Sequence, residues 1–255
     1  MRQDDRAPFD RALHRARAWA YPPGEFAGQE SFMTAGEILA LAARAGIGPE
    51  VTVLDLCCGV GGPGRFLTRE LDCAYLGVDA SASAVAIARE RAGDLPCRFA
   101  VTRIPPLPAG PFDVVLLLET MLAFADKEAL LQEVARALAV GGRFAFTLEE
   151  GVPLSESEQA LMPAADTVWL TPLEEMHSLL ERSGLAVRWE EEWSESHREV
   201  AAGLAGAYAA DSEAIARRIG RRRLDDLLTA HRLWSEWLAT GRVRKFALVA
   251  ERTER

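Results

Sequence analysis

Lysine is almost missing from this 255-residue chain: Lys127 and Lys245 are the two. That leaves little material for a Schiff-base lysine or for the phosphate-gripping lysine of a P-loop. Positive charge is short overall, with 29 basic against 38 acidic residues and a net charge of -9. Sequence-independent binding to a nucleic-acid backbone needs a basic face, so that class is set aside. The four cysteines, Cys57, Cys58, Cys73 and Cys97, lack the spacing of a zinc site. Three of them fall on or beside expected buried strands and read as small apolar residues of a reducing, cytoplasmic compartment, with no metal expected. No run of 18 apolar residues exists, and the first 17 residues mix arginines with aspartates rather than forming an apolar targeting core. A membrane is therefore not an expected partner.

What is present centres on residues 51–64, VTVLDLCCGVGGPG. Val51, Val53, Leu54 and Leu56 read as a buried strand, which stops where Gly59, Gly61, Gly62 and Gly64 begin. Glycine lets the backbone turn through positive φ and lets a ligand lie against the main chain. Pro63 suits the first turn of the helix that follows. A second strand, CAYLGVDAS, ends in Asp79, placed 24 residues after Asp55, where an acid can chelate two ribose hydroxyls. Gly59 to Gly64 formally fits a dinucleotide fingerprint, whose helix N-terminus faces a pyrophosphate. Asp55, four residues before the first glycine, instead suits a ligand carrying a cation at the turn.

LDLCCGVGG followed by LGVDAS resembles the first two motifs of the class I S-adenosylmethionine-dependent methyltransferases, and the resemblance continues through FDVVLLLETMLAFAD and ALAVGGRFAFTLEE to the last expected strand. It implies an α/β, Rossmann-like sheet of seven strands with the last antiparallel, and a helical cap inserted before that last strand. The expected division is an N-terminal arm and lid over residues 1–33, a cofactor-binding core over 34–194 and 241–255, and a cap over 195–240. By resemblance, Asp55, Cys57, Gly59 and Gly61 hold the methionine part of S-adenosylmethionine and Asp79 the ribose. Ala80, Thr102 and Arg103 surround the adenine, Leu118 and Glu119 border the sulfonium, and Tyr21 either closes over it or, with Phe26 and Phe32, plugs a groove on the core. Relatives commonly place an acid where Thr102 and Arg103 stand, so the adenine contact here rests on a hydroxyl.

The resemblance also fails at one position. After the fourth strand the small-molecule subgroup commonly reads E-S-L-x-H-x-x-D, its histidine cast as the base; here Glu119-Thr120-Met121-Leu122-Ala123 puts alanine in that place. Either the acceptor needs little base help, or a base comes from elsewhere, or the fold uses its pocket for a cyclisation or rearrangement. Replacement bases are His197 and His231 in the cap and Glu149 and Glu150 after strand five; His177, mid-helix in EEMHSLL, reads as a surface or packing residue. Trp193, Tyr208, Trp234 and Trp237 either line an apolar acceptor pocket or form the cap's own core, and Trp169 can join them.

Two local expectations complete the reading. Gly141-Gly142 caps the helix from Asp126 to Ala139, and Thr171-Pro172-Leu173-Glu174 opens another with threonine as N-cap. The expected function is methylation of oxygen or nitrogen on a small, apolar or aromatic secondary metabolite, as in natural-product biosynthesis. A nicotinamide oxidoreductase is the alternative from another class, but no Tyr-x-x-x-Lys pair exists in the chain. The oligomeric state has no signature here.

Overall fold

The structure, a computed structural model, describes residues 11–163 and 167–253. The part of the expected arm before Arg11, and residues 164–166 of the expected loop over the sheet, lie outside them.

Among the described residues, α1 (Arg11–Ala20) and α2 (Ala35–Ala45) precede β1 (Thr52–Leu56) and α3 (Gly62–Leu71). Then come β2 (Ala74–Asp79), α4 (Ala82–Ala92), β3 (Arg98–Val101), β4 (Phe112–Leu117) and α5 (Lys127–Ala137). The chain continues through β5 (Leu138–Glu150), α6 (Glu156–Gln159), α7 (Leu173–Arg182) and β6 (Leu185–Glu192). Three helices, α8 (Ser194–Ala210), α9 (Ser212–Ile219) and α10 (Arg221–Thr240), separate β6 from β7 (Arg244–Arg252).

The strands form one seven-stranded sheet in the order β3-β2-β1-β4-β5-β7-β6. All neighbours are parallel except β7, which runs antiparallel to both β5 and β6. This is the Rossmann-like class I methyltransferase arrangement that the motifs implied. Strand order reverses between β1 and β4, so the carboxyl ends of these two strands flank the crevice where such sheets hold ligands. Val114, Val115, Leu116 and Leu117 of β4 are all buried, as a central strand covered on both faces requires.

The sheet separates two apolar layers. Ile38 and Leu41 of α2, Leu67 of α3 and Val85 of α4 cover one face, while Leu130, Leu131 and Val134 of α5 and Met176 and Leu180 of α7 cover the other. A third cluster lies outside the sheet: Leu13 of α1 and Tyr21 pack with Leu204 and Tyr208 of α8, Ile215 of α9 and Leu224 of α10. Helix α1 thus joins the inserted helices and shares their core.

Two local readings need correction. Gly141 and Gly142 do not cap α5, because β5 already starts at Leu138, which pairs with Phe112 across a register irregularity. Gly141 absorbs that irregularity at φ 75. Thr171 is not the N-cap of α7 either. Its backbone bridges to Glu150, so the helix opens one residue later, at Pro172, without a side-chain cap.

Gly64 fixes how closely α3 approaches the sheet: a Cβ there would stand 2.1 Å from the Tyr75 ring. Gly64→Ala is expected to lower stability by about 1–3 kcal/mol, as overpacking of a buried contact does, read as a fall of several degrees in Tm by differential scanning calorimetry. Gly206→Ala in α8, where an added Cβ meets nothing within 4 Å, should leave Tm unchanged or raise it. Equal effects at both positions would refute the close-approach account.

Candidate functional site

Strand β1 delivers Asp55 to the carboxyl edge of the sheet, and the chain then turns sharply: Cys57 lies at φ 59 and Gly59 at φ 53. Positive φ on a cysteine is a strained conformation, of the kind that persists where the surroundings over-determine it. Asp55 is buried and its carboxylate accepts a hydrogen bond from the Tyr75 hydroxyl. Burial pushes this carboxyl up to about 7, the Tyr75 hydrogen bond opposing the shift and Asp79 adding to it. Asp79, at the end of β2, accepts from the backbone N–H of Gly59 at 3.0 Å and of Ser81 at 2.8 Å. Its carboxylate is thereby oriented beside the turn, with lone pairs left for two further donors.

A cavity of about 180 Å³ opens on this turn, bordered by Asp55, Cys57, Gly59, Leu118 and Glu119 from the sheet edge, and by Gly28, Glu30 and Ser31 from the segment before α2. Of the residues expected around a cofactor, these five sheet-edge positions come together. Gly61, at φ 74, caps α3 behind them, its backbone against Phe99. Thr102 donates its backbone N–H to the Asp79 carbonyl, and Ala80 and Arg103 are exposed beyond the β2 and β3 ends. None of these four borders the cavity, nor do Asp79 and Tyr21. Tyr21 is buried in the cluster shared by α1 and α8 and donates its hydroxyl to the Ser31 carbonyl. It positions the segment that borders the cavity.

A larger cavity of about 480 Å³ adjoins the first and shares Glu30, Ser31 and Glu119 with it. Its outer wall is apolar, including Met162, Val168, Leu227, Trp234 and Leu238. Its inner wall is charged. Lys245, at the start of β7, has its ammonium 2.5 Å from Glu119 Oε1 and also pairs with Glu149 Oε1. Glu149 and Lys245 face each other directly across the β5–β7 pairing. His197, in the first turn of α8 and fully buried, lies 3.6 Å from Glu119 and 3.5 Å from Glu37, at ion-pair rather than hydrogen-bond distance.

The protonation pattern follows from these neighbours. Burial works against the charge on Lys245, but Glu119 and Glu149 hold it above lysine's ordinary value. Burial likewise opposes ionisation of Glu119, yet Lys245 and His197 keep it below the usual carboxylate range. Glu149 goes the other way: burial raises it, against the pull of Lys245 and with the push of Glu119. Two carboxylates on one ammonium are thus set apart in proton affinity, as paired titratable groups in functional sites are. Glu119 also stands at φ 59, its backbone N–H donating to Thr147 Oγ1 at 2.7 Å.

His231 borders the same cavity, and its Nδ1 lies 2.6 Å from the Leu227 carbonyl. A carbonyl can only accept, so Nδ1 carries the hydrogen and Nε2 keeps its lone pair. Burial lowers this imidazole to about 4. Of the four base candidates, the structure brings His197, His231 and Glu149 to the cavity. Glu150 is corrected: as the next residue of the same strand it points to the other face, where Arg244 donates to it at 2.9 Å. His177 pairs with Glu190 at the surface. Trp234 lines the cavity, Trp237 is buried beneath it with Leu154 and Val243, Tyr208 receives a hydrogen bond from Arg17, and Trp169 is exposed. Trp193 packs against His197, ring centroids 6.4 Å apart.

The residues that sequence reasoning passed over are Lys245, Glu37 and Tyr75; the run from Glu30 to Phe32 falls within the expected lid over residues 1–33. Phe32 donates its backbone N–H to Glu119 at 3.2 Å, and Glu30 pairs with Arg17 at 2.5 Å. The signal for Lys245 was its rarity. Where 29 basic residues include two lysines, those two occupy special places, and both are buried.

Residues 53–142 match a family described as "Methyltransferase domain". A phosphoethanolamine N-methyltransferase 1 of Arabidopsis thaliana is 32% identical over 99 residues, 37% of this chain and 20% of that protein. An ajmaline N-methyltransferase of Rauvolfia serpentina is 29% identical over 144 residues, 50% of each chain. The chain therefore aligns with half or less of these relatives' length. Among solved structures, phosphoethanolamine N-methyltransferase 2 of Haemonchus contortus, in complex with phosphomonomethylethanolamine and S-adenosylhomocysteine, superposes with a TM-score of 0.78 at 21% identity, covering 99% of this chain and 59% of that one.

The raised Asp55 carboxyl predicts a pH signature. Folded, it keeps its proton up to about pH 7, whereas its ordinary value is 3.8. The folded state then binds more protons between those limits, so stability falls as pH rises through that window. Asp55→Asn cannot ionise and should lose this slope. Thermal denaturation at pH 5 and pH 8 is expected to show the unmodified protein losing several degrees more than the variant; equal losses would refute a neutral buried Asp55.

Proposed function

We propose that this chain, which carries a class I methyltransferase domain of the S-adenosylmethionine-dependent kind, methylates oxygen or nitrogen on a small molecule held beneath α8 and α10. The observation that carries the reading is the meeting of the two cavities at Glu119, Ser31 and Glu30. A ligand on the glycine turn and a second ligand under the inserted helices make contact there.

The residues of the turn fit the cofactor's parts. Gly59, at φ 53, presents bare backbone to the smaller cavity. Asp55 would receive the ammonium of the methionine moiety, whose positive charge would draw the carboxyl back to its ionised form. Asp79, oriented by Gly59 and Ser81, would take the ribose hydroxyls, and Leu118 and Glu119 would border the sulfonium. When bound, S-adenosylmethionine supplies a methyl group already activated for in-line displacement. The protein's own task is then placement, which can supply several kcal/mol.

For that task the larger cavity offers an apolar wall to grip the body of an acceptor and a charged wall to receive its reacting end. Its volume lies in the range of sites for drug-sized molecules. The acceptor we infer is accordingly a secondary metabolite with much apolar surface, and the activity belongs to natural-product tailoring. The histidine missing at Ala123 has a counterpart from another element, since His197 borders the same cavity as Ala123.

Calorimetric titration with S-adenosylmethionine, S-adenosylhomocysteine and NADH tests the cofactor. Micromolar binding of the adenosyl ligands, about -8 kcal/mol, is expected, weakened at least tenfold by Asp79→Ala. Binding of NADH alone would overturn the reading and reassign the glycine turn to a pyrophosphate.

A further inference from the structure

The charged wall of the larger cavity has a sign. Two carboxylates bordering it, Glu119 and Glu149, face one ammonium, Lys245, and one imidazole, His197, with Glu37 behind the imidazole and outside the cavity lining. The remaining acid at the cavity, Glu30, is paired with Arg17. Lys245 is already paired with two carboxylates, which outweigh its single charge, and its side chain is 3% exposed. No other lysine or arginine borders the cavity among the described residues, so an anionic substrate meets no uncompensated cation there.

Four buried polar atoms of this wall lack a hydrogen-bond partner among the described residues, Glu119 Oε1, Glu149 Oε2 and both ring nitrogens of His197, and of these Glu149 Oε2 alone also has no ion-pair contact. Its sister oxygen pairs with Lys245. A buried carboxylate oxygen left without a donor costs about 1–3 kcal/mol or more, and a ligand that supplies the donor removes that cost. His231 cannot supply it, because its one ring hydrogen goes to the Leu227 carbonyl.

We propose that the acceptor is a lipophilic amine, bound as its ammonium with an N–H directed at Glu149 Oε2 and its apolar body against Trp234, Leu227 and Met162, and that phosphate- or carboxylate-headed molecules are excluded. This deepens the methyltransferase reading and rests on it for the reaction. An ammonium has no lone pair, so one proton must leave before nitrogen can attack. Glu149 Oε2 accepts it: the N–H bond breaks, an O–H bond forms, and the pair of electrons stays on nitrogen. Around a carboxylate as buried as Glu149 this exchange of two charges for two neutral groups is favoured. The raised proton affinity that burial gives Glu149 acts in the same direction. Glu119, held anionic by Lys245 and His197, keeps its place at the junction of the cavities.

Three probes with one skeleton separate the possibilities: 4-phenylpiperidine, 4-phenylcyclohexanol and 4-phenylcyclohexanecarboxylate, titrated calorimetrically into the full chain at pH 7.5 with S-adenosylhomocysteine present. The amine is expected to bind at least tenfold more tightly than the alcohol, and the carboxylate more weakly than either. In Glu149→Gln the preference for the amine over the alcohol should fall below about threefold. Turnover of 4-phenylpiperidine should drop about 10²-fold and recover as pH approaches the amine's own ionisation range. An amine that binds no better than the alcohol or the carboxylate, or a preference and turnover unchanged in Glu149→Gln, would overturn the proposal. The ranking in the unmodified protein decides the matter even if the variant does not fold. S-adenosylhomocysteine binding, measured first without probe, keeps the two readings apart: its absence sinks the cofactor assignment, whereas its presence without amine preference sinks only this inference.

Discussion

Lys245 between Glu119 and Glu149 is the constraint on which the site is built. The three residues belong to the end of β4, the end of β5 and the beginning of β7, adjacent in the sheet. Their meeting depends on direction. Parallel strands bring carboxyl ends to one edge, and an antiparallel β7 brings its first residues to that same edge. A parallel β7 would carry Lys245 to the far side of the sheet and leave two buried carboxylates unpaired. Removing one partner from a buried ion pair costs on the order of 3–5 kcal/mol, so strand direction and charge pairing reinforce each other.

The same topology explains His197. Strand β6 pairs with β7 antiparallel and therefore runs with β5, ending at the site edge. Helix α8 starts two residues later, and its first turn drops His197 between Glu37 and Glu119. His197 thus reaches the cavity that Ala123 also borders, but from the inserted helices rather than from the segment after β4. Its position is secured by packing, with Trp193 and Phe32 on either ring face or edge.

The segment from Tyr21 to Thr34 couples the two cavities. Tyr21 holds the Ser31 carbonyl, Arg17 holds Glu30, and the Phe32 N–H is fixed on Glu119. Gln29, wholly buried, donates to the Glu25 and Met33 carbonyls and locks the loop internally. Because α1 shares its core with α8, α9 and α10, a shift of the inserted helices would move Ser31 and Glu30 at the junction.

The local pattern of residues determined a good deal. The apolar runs of β1 and β4, the glycines after Leu56, and Asp55 and Asp79 at the strand ends were legible because strand, turn and acid lie within a few residues of one another. Alternation along β5 was equally local, yet choosing between Glu149 and Glu150 required knowing which face of the strand the cavity covers. Gly141 misled because a glycine pair after a helix is a common stop signal, and only the pairing of Leu138 with Phe112 turned it into a bulge. Tyr21 left two readings open because an aromatic in a lid segment can pack inward or over a ligand with equal ease, and here it is buried against α1 and α8. The charged wall was legible only in pieces: Glu119, Glu149 and His197 stood out singly, but not their meeting with one another or with Lys245 and Glu37. Glu37, Glu119, Glu149, His197 and Lys245 span more than 200 positions of the chain, and their identity as one cluster follows from strand order and direction. By itself the sequence determined a ledge for an adenosyl ligand, because that ledge is one βα turn. The tertiary structure alone decided what lies opposite it, because charges far apart in sequence acquire their partners, and their proton affinities, only when the sheet closes around them.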